Sequence, residues 1–364
     1  MLYLPFRRAS AALCCLLLGS CQPTARATGA LQLGAAGAWK TAYGQMAHRG
    51  IELAVEELNQ QGGVGGRTVS IVYRDDQADG ALAADIAREF VGDPGIIGVV
   101  GHLSSTAMVA AARVYDGQLP VLSPSATSPD LSGASRWLFR LNPSDSVTGR
   151  RLGDIARRQA THQRVAVIYE NTSYGRGLVE PFLVTLGLTP VALEPIDPSG
   201  DSIAVNIASI ARQKPDIIFA VGTNSGPPVL TALRAQGVTA PVIAGDGWSG
   251  IETTMPVQNV SIALPFSSNE ARPDAKRFVA AFRARYRVDP DAYAALSYDA
   301  TIALARAAAT GVTRRGTLDA LRTMRDTRGY ATGAVRFSTT GDPIGRSMHL
   351  LHIDGATRTF GVMQ

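Results

Sequence analysis

A run of hydroxyl-bearing residues follows one short apolar segment of this 364-residue chain. The segment Ile96–Val100 is predicted to be a buried strand, and the sequence GHLSST (residues 101–106) comes directly after it. Hydroxyls and exposed backbone N–H groups at the start of a helix can bind a carboxylate. An N-cap by Ser104 or Ser105 accounts for the same residues equally well. The pattern therefore predicts either an anion site or a helix cap.

An aspartate between two glycines follows a second predicted strand, Pro241–Ala244. At a strand end, Asp246 is accessible and can form a charge-assisted hydrogen bond with an ammonium group. A simple turn aspartate is an equally good interpretation. The ends of parallel strands are where open α/β sheets bind ligands, so Asp246 is a candidate ligand contact.

Two further polar segments follow predicted strands. The loop SPSATSP (residues 123–129) comes after Pro120–Leu122 and combines hydroxyls with two prolines, a pattern that many ordinary loops share. Tyr174 and Gly175 follow a strand that is predicted to end at Tyr169.

The sequence lacks the motifs of common enzyme classes. A dinucleotide fingerprint, a Walker loop and an HExxH zinc motif are not found, and Gly247–Gly250 lacks the final glycine of a nucleophile elbow. The five histidines are scattered, and Asp75 and Asp76 have no second oxygen cluster nearby in the sequence. We therefore expect no cofactor, no metal site and no catalysis, with a Rossmann-like enzyme as the less favoured alternative.

The elements that position these residues alternate between strand and helix in the first half of the chain. Apolar runs predict strands at Leu31–Ala36 and Val69–Tyr73 in addition to those above. The helix between them has Ile51, Ala54, Val55 and Leu58 on one face, and further helices are predicted at 80–91 and 105–115. Alternation of this kind predicts a parallel sheet with helices on both faces.

The alternation restarts after Asn142 and Pro143. It predicts strands at 164–169, 189–193, 216–221 and 241–244, and helices between them at 174–186, 203–212 and 228–236. Two doubly wound units predict two lobes with a cleft between them. Residues 272–325 form long alanine-rich helices, such as Ala292–Ala309, and we expect the chain to cross between the lobes more than once.

Composition agrees with a two-lobed globular protein. Hydrophobic residues make up 46% and charged residues 18%, which excludes collagen, disulfide scaffolds and intrinsic disorder. A chain of this length exceeds the roughly 250–300 residues at which single cores stop growing. The net charge of +5 is a small excess spread along the chain, and the short arginine clusters lie at helical spacing. We therefore expect solvated helix faces and no nucleic-acid partner.

The N-terminus has the features of an export signal. Arg7 and Arg8 precede the apolar run Ala9–Leu18, which is too short to span a bilayer and is followed by Gly19, Ser20 and Cys21. Small residues before a cysteine resemble a bacterial lipobox, so we expect residues 1–20 to be removed, Cys21 to carry lipid and residues 21–29 to form a tether. An ordinary signal peptide is the alternative. Because Cys14 and Cys15 leave with the leader, no thiol remains for a disulfide.

Together the motifs resemble the leucine/isoleucine/valine-binding protein family, the type I periplasmic binding proteins of branched-chain amino-acid ABC importers. The resemblance covers about residues 30–355. It is carried by six segments: GIELAVEELNQQGGVGG (50–66), YRDD (73–76), GVVGHLSS (98–105), SPSATSPDL (123–131), SYGRG (173–177) and SYDA (297–300).

The resemblance implies a hinged clamp of two doubly wound lobes joined by three crossovers. Lobe 1 is expected at residues 30–142 and 266–338, and lobe 2 at residues 143–265 and 339–364. Members of this family bind a ligand in the cleft between the lobes, and the lobes close on it.

The resemblance also implies roles for individual residues. Ser105, the backbone of Thr106 and Thr127 match the family's α-carboxylate binders, and Ser125 matches the position whose carbonyl accepts from the ammonium. Asp246 matches the acid that pairs with the ammonium. The remaining expected pocket residues are Tyr43, Ser104, Tyr174 and Tyr293.

The expected function is that of an exported, lipid-anchored and monomeric receptor that delivers a small molecule to an ABC permease. A sensor or an envelope accessory protein is the alternative. Thr223, Asn224 and Ser225 replace an aromatic that some members have, and Asp246 is shorter than the more common glutamate. These departures disfavour an aliphatic amino acid and leave a polar amino acid, an amide or another small organic ligand.

Overall fold

The computed structural model describes residues 1–2, 29–197 and 199–363. Residues 3–28 lie outside the described residues. They include all of the predicted leader except its first two residues, and all of the predicted tether, with Cys21, except Gly29. Within the part of the chain that the structure describes, no helix has both the length and the apolar character needed to cross a bilayer.

The first run of elements builds a five-stranded parallel sheet in the order β2-β1-β3-β4-β5. Its elements are β1 (Leu31–Gly37), α1 (Ala42–Gln60), β2 (Val69–Asp75), α2 (Gly80–Gly92), β3 (Ile96–Val100), α3 (Ser105–Tyr115), β4 (Val121–Ser123) and β5 (Leu138–Arg140). The strands are apolar because helices cover both faces of the sheet.

The second run contributes most of a seven-stranded sheet. Its elements are α4 (Asp145–Gln159), β6 (Val165–Glu170), α5 (Ser173–Leu186), β7 (Ala192–Ile196), α6 (Ile203–Arg212), β8 (Ile217–Val221), α7 (Gly226–Ala235), β9 (Val242–Ala244) and β10 (Val260–Leu264). These five strands are parallel to one another.

The chain then returns to the first sheet before it completes the second. Its last elements are α8 (Pro273–Tyr286), α9 (Ala292–Gly311), α10 (Arg314–Thr323), β11 (Arg325–Asp326), β12 (Val335–Arg336), β13 (His349–Asp354) and β14 (Thr357–Val362). The order of the second sheet is β14-β13-β10-β9-β8-β6-β7, with β13 and β14 antiparallel to their neighbours. The doubly wound α/β prediction is confirmed.

Helix α9 shows why alanine and glycine are frequent in this chain. It packs against α1 so closely that a Cβ on Gly50 would lie 2.1 Å from the carbonyl oxygen of Ala294. Such an approach excludes any side chain at residue 50. The small residues therefore let the chain bring α9 back onto the first sheet.

One predicted strand is displaced. The prediction of a strand at 189–193 is wrong by three residues, since β7 covers Ala192–Ile196 and includes Pro195. β7 is an edge strand, and an edge tolerates a residue without a backbone N–H.

Candidate ligand-binding site

A cavity of about 410 Å³ lies where the carboxyl ends of strands from both sheets meet. Residues that follow β2, β3 and β4 line it from the first sheet, and residues that follow β6, β8 and β9 line it from the second. Eight of the nine residues expected in the pocket line this cavity: Tyr43, Ser104, Ser105, Thr106, Ser125, Tyr174, Asp246 and Tyr293. The structure thus brings together residues that are up to 250 positions apart in the sequence.

The start of α3 forms one pole of the cavity. The hydroxyl of Ser104 accepts a hydrogen bond from the backbone N–H of Ala107 at 3.2 Å, so Ser104 is the N-cap. The hydroxyl oxygen of Ser105 accepts from the N–H groups of Thr127 and Ser128 at 3.2 and 3.1 Å. Because both bonds use the oxygen as acceptor, the Ser105 O–H can donate to a ligand.

The neighbouring loop after β4 contributes one of its two predicted residues to the cavity. Ser125 lines the cavity, and its hydroxyl donates to the carbonyl oxygen of Leu103 at 2.8 Å. Thr127 is only 1% exposed and is not among the lining residues. Its carbonyl oxygen accepts from the N–H of Asp145 at 3.0 Å, which places Thr127 behind the wall of the cavity.

Asp246 supplies a carboxylate to the cavity from the second sheet. It begins a short 3₁₀ helix, Asp246–Trp248, and is buried with 7% of its surface exposed. One carboxylate oxygen accepts from the hydroxyl of Tyr174 at 2.8 Å and the other from the side-chain amide of Asn142 at 2.6 Å. Burial raises the pKa of Asp246, although both hydrogen bonds act in the other direction. Contacts from distant parts of the chain fix this carboxylate.

The glycine before Asp246 is required by this packing. A Cβ on Gly245 would lie 2.4 Å from the hydroxyl oxygen of Tyr174. The same hydroxyl accepts from the N–H of Gly247 at 3.0 Å. Tyr174 therefore contacts the whole Gly-Asp-Gly turn and holds the carboxylate at the cavity.

A second buried carboxylate, Asp145, was missed by the sequence reasoning. It is the first residue of α4 and is 1% exposed. Burial raises its pKa well above the usual range, and the negative charge of Asp246 raises it further. The hydroxyl of Thr127 and the positive charge of Arg140 act against these effects. No local pattern could have identified Asp145, since its environment depends on the fold.

Tyrosine rings form another part of the cavity wall. The rings of Tyr43 and Tyr293 are 5.1 Å apart at an interplanar angle of 39°, which is typical of an aromatic contact. Burial raises the pKa of Tyr43, Tyr174 and Tyr293. The three phenols are therefore neutral at physiological pH and serve as hydrogen-bond groups and apolar surface.

Glu170 was also missed, because the predicted strand stopped one residue before it. It is the last residue of β6, is 4% exposed and lines the cavity. One of its oxygens accepts from the N–H groups of Thr223, Asn224 and Ser225 at 3.0–3.1 Å. A polar residue at the end of a predicted strand was the signal that could have found it.

A buried hydrogen-bonded set lies beneath the loop that leads to α3. His102 Nδ1 is 2.7 Å from a carboxylate oxygen of Asp76, and Nε2 is 3.1 Å from the hydroxyl of Tyr115. All three side chains are at most 1% exposed. The set anchors the loop just before Leu103 and Ser104, and ligand has no access to it.

A wider cavity of about 770 Å³ adjoins the first one and shares Tyr43, Thr223, Asn224 and Tyr293 with it.

Among the described residues, no group of three or more histidines, cysteines or acids is arranged to hold a metal ion. The arrangement can bind a small molecule that presents a cation to Asp246 and an anion to the start of α3.

Comparisons with known proteins agree with this geometry. A family model described as "Periplasmic binding protein" matches residues 33–358. The Leu/Ile/Val-binding protein homolog 2 of Brucella abortus (strain 2308) is 25% identical over 315 residues, which cover 84% of each chain.

Two solved structures are similar over nearly the whole chain. The branched-chain amino acid transporter substrate binding protein LivJ of Streptococcus pneumoniae, in complex with isoleucine, has a TM-score of 0.85 and 25% identity, and covers 92% of this chain and 99% of its own. An ABC transporter substrate-binding protein of Desulfitobacterium hafniense, in complex with Leu, has a TM-score of 0.76 and 31% identity, and covers 91% of this chain and 99% of its own.

Proposed function

The chain belongs to the periplasmic binding protein family, and we propose that it captures an amino acid or a related small zwitterion or amide and delivers it to an ABC importer. The relatives are substrate-binding proteins of the Leu/Ile/Val group, so the chain is a binding protein and not an enzyme. Family membership implies an exported, periplasmic location.

One observation carries the proposal. Asp246 and the start of α3 line the same cavity but come from different sheets. A zwitterion offers an ammonium group to the carboxylate and a carboxylate to the helix N-terminus, where N–H dipoles favour negative charge. In this arrangement Ser105 and the backbone of Thr106 bind the carboxylate, and Ser125 and Asp246 bind the ammonium. Thr127 supports Ser105 through its N–H.

The cavity is the cleft between two lobes in this proposal. Lobe 1 comprises residues 30–142 and 266–338, and lobe 2 comprises 143–265 and 339–364. The division is supported by the two large sheets, since β1–β5 form one and β6–β10, β13 and β14 form the other. A ligand that contacts both lobes stabilises the closed state over the open one. The permease can then distinguish loaded from empty receptor. The same closure would serve a sensor, and a transport defect distinguishes the two roles.

The test is a thermal-shift and calorimetric screen of the purified chain against amino acids, amides and nucleotides. We expect a zwitterion to raise the melting temperature and the Asp246→Asn variant to lose the shift. Asp85→Asn is the matched control, because Asp85 is an exposed acid on α2 with a side chain 65% exposed. Stabilisation by nucleotides alone would contradict the proposal. Loss of uptake of the identified ligand in cells without the chain supports transport over sensing.

We also propose that the mature protein is a monomer anchored to the membrane by lipid on Cys21. The support for the anchor is the sequence pattern of the leader. The protein is expected to incorporate a labelled fatty acid and to fractionate with membranes. Cys21→Ser loses both properties, and Cys14→Ser, within the leader, keeps them. Fatty-acid labelling that persists in Cys21→Ser would contradict the anchor.

A further inference from the structure

We infer that the ligand has a second anionic group on its side chain and that Arg176 selects for it. This inference rests on the proposed function, since it assigns a ligand class to the same cavity. It starts from the charges around the cavity. Among the described lining residues, the carboxylates are Glu170 and Asp246, and Arg176 is the one cationic side chain.

The charge of Glu170 is already matched within the protein. Its carboxylate accepts three backbone hydrogen bonds from residues 223–225, at the start of α7. A carboxylate with several N–H partners at a helix N-terminus is stabilised in place. Glu170 therefore needs no cation from the ligand. The charges that remain for the ligand are the negative charge of Asp246, the positive end of α3 and the positive charge of Arg176.

A simple zwitterion satisfies only two of these three charges. Its ammonium group pairs with Asp246, and its carboxylate lies at the start of α3. The guanidinium of Arg176 then has no anionic counterpart in the cavity. A side chain that ends in a carboxylate supplies this counterpart through strong charge-assisted hydrogen bonds. The same reasoning disfavours an aliphatic side chain beside Arg176, because it offers the guanidinium no hydrogen-bond acceptor.

The position of Arg176 is suited to this role. It lies in the first turn of α5, at the exposed edge of the cavity, and its Nη1 donates to the side-chain oxygen of Asn171 at 2.6 Å. This bond orients the guanidinium and uses one of its five N–H donors. The planar guanidinium of arginine can bind a carboxylate through two parallel bonds.

The surroundings of Arg176 are polar as well. The residues that the second sheet contributes to the cavity contain no aliphatic side chain among those described, and their neutral members are Asn171, Thr172, Ser173, Tyr174, Thr223 and Asn224. Ala78 and Leu103 are the aliphatic lining residues, and both belong to the first-sheet side. A branched aliphatic side chain directed toward Arg176 would therefore meet hydroxyl and amide groups instead of apolar surface.

The experiment compares ligands of similar shape and different charge by titration calorimetry. L-Glutamate and L-aspartate are the acidic probes, L-glutamine and L-asparagine are their neutral counterparts, and L-leucine is the aliphatic probe. We expect the better acidic probe to bind at least about ten-fold more tightly than its amide and than leucine. High salt should reduce this preference, because Arg176 is at the exposed edge of the cavity.

Variants then assign the preference to Arg176. Arg176→Gln is expected to lower the affinity for the acidic probe about ten-fold and to change the affinity for its amide by less than about three-fold. Arg176→Lys keeps the charge and restores part of the preference. Arg212→Gln removes an equal charge from an exposed residue of α6 and should leave the preference unchanged.

The outcomes separate this inference from the proposed function. Tight leucine binding that Arg176→Gln leaves unchanged overturns the inference and supports the proposed function. An equal loss of affinity for acidic and neutral probes in Arg176→Gln also overturns it, because the residue would then have no role in selecting charge. If none of these amino acids binds, the inference fails, whereas the proposed function fails only if the wider screen also finds no zwitterion or amide that binds.

Discussion

Asp145 is expected to make the protein less stable as the pH rises, and its replacement by asparagine should remove this effect. The side chain is buried and close enough to Asp246 to be repelled by its charge, and both factors raise its pKa. In the unfolded chain an aspartate releases its proton near pH 4. Between that pH and the raised pKa, the folded protein holds one proton more than the unfolded chain. The free energy of unfolding therefore falls as the pH rises through this window.

The size of the effect follows from this difference of one proton. Each pH unit within the window lowers the free energy of unfolding by about 1.4 kcal/mol. Asparagine has the shape of the protonated acid and does not titrate. Asp145→Asn should therefore match the native chain near pH 4 and gain about 1.4 kcal/mol over it for each further pH unit below the raised pKa. Asp145 begins α4, where a negative charge gains about 0.3–1 kcal/mol, and that smaller gain does not reverse the sign.

Urea unfolding at a series of pH values from about 4 to 8 measures this difference directly. Asp85→Asn is the control, and its exposed side chain should change the free energy of unfolding by at most about 0.5 kcal/mol at every pH. If Asp145→Asn is less stable than the native chain and the deficit grows with pH, the carboxylate is ionised and stabilising. That result would refute the reasoning.

Two further predictions concern the contacts around the cavity. Tyr174→Phe removes the hydroxyl that donates to Asp246 and accepts from the N–H of Gly247. Ligand affinity, measured by calorimetry, should therefore fall by about ten-fold while the fold persists. Unchanged affinity would show that these bonds do not position the carboxylate. His102→Leu removes the side-chain partner of the buried Asp76 carboxylate, which keeps the N–H of Ala78, and should cost about 3–5 kcal/mol of folding free energy in urea unfolding. Adding Asp76→Asn should recover part of that loss, and no recovery would show that the loss does not come from the carboxylate left without His102.

Periodicity predicted the bounds of two elements well, a strand that is almost entirely buried and a helix that buries one face. β3 at Ile96–Val100 and α6 at Ile203–Arg212 have the predicted bounds. The sequence reading did not assign β10 or the β13–β14 pair, although all three complete the second sheet. β13 and β14 pair with each other as neighbours, but the place of β13 beside β10 depends on a contact between residues about 90 positions apart. Such long-range pairing leaves no local signal.

Part of the site could be predicted from the positions at which strands end. Ser105 and Asp246 lie in segments that follow β3 and β9, and topology alone brings the ends of parallel strands together. Asn142 and Asp145 act on the site through contacts that no spacing rule describes. The bond between Asn142 and Asp246 joins residues 104 positions apart. Contacts of this kind are set by how the two sheets meet.

Glu170 shows how the fold can determine ligand orientation without a ligand contact. The starts of α3, α5 and α7 all lie at the cavity, and each attracts negative charge. Ser104 and Thr172 cap α3 and α5 with neutral hydroxyls, whereas α7 receives the charged carboxylate of Glu170. A ligand carboxylate is therefore repelled from α7 and attracted to the starts of α3 and α5, while Asp246 attracts the ammonium group. The zwitterion is thus oriented by charges that contacts within the protein hold in place, so binding loses less entropy to the ordering of side chains.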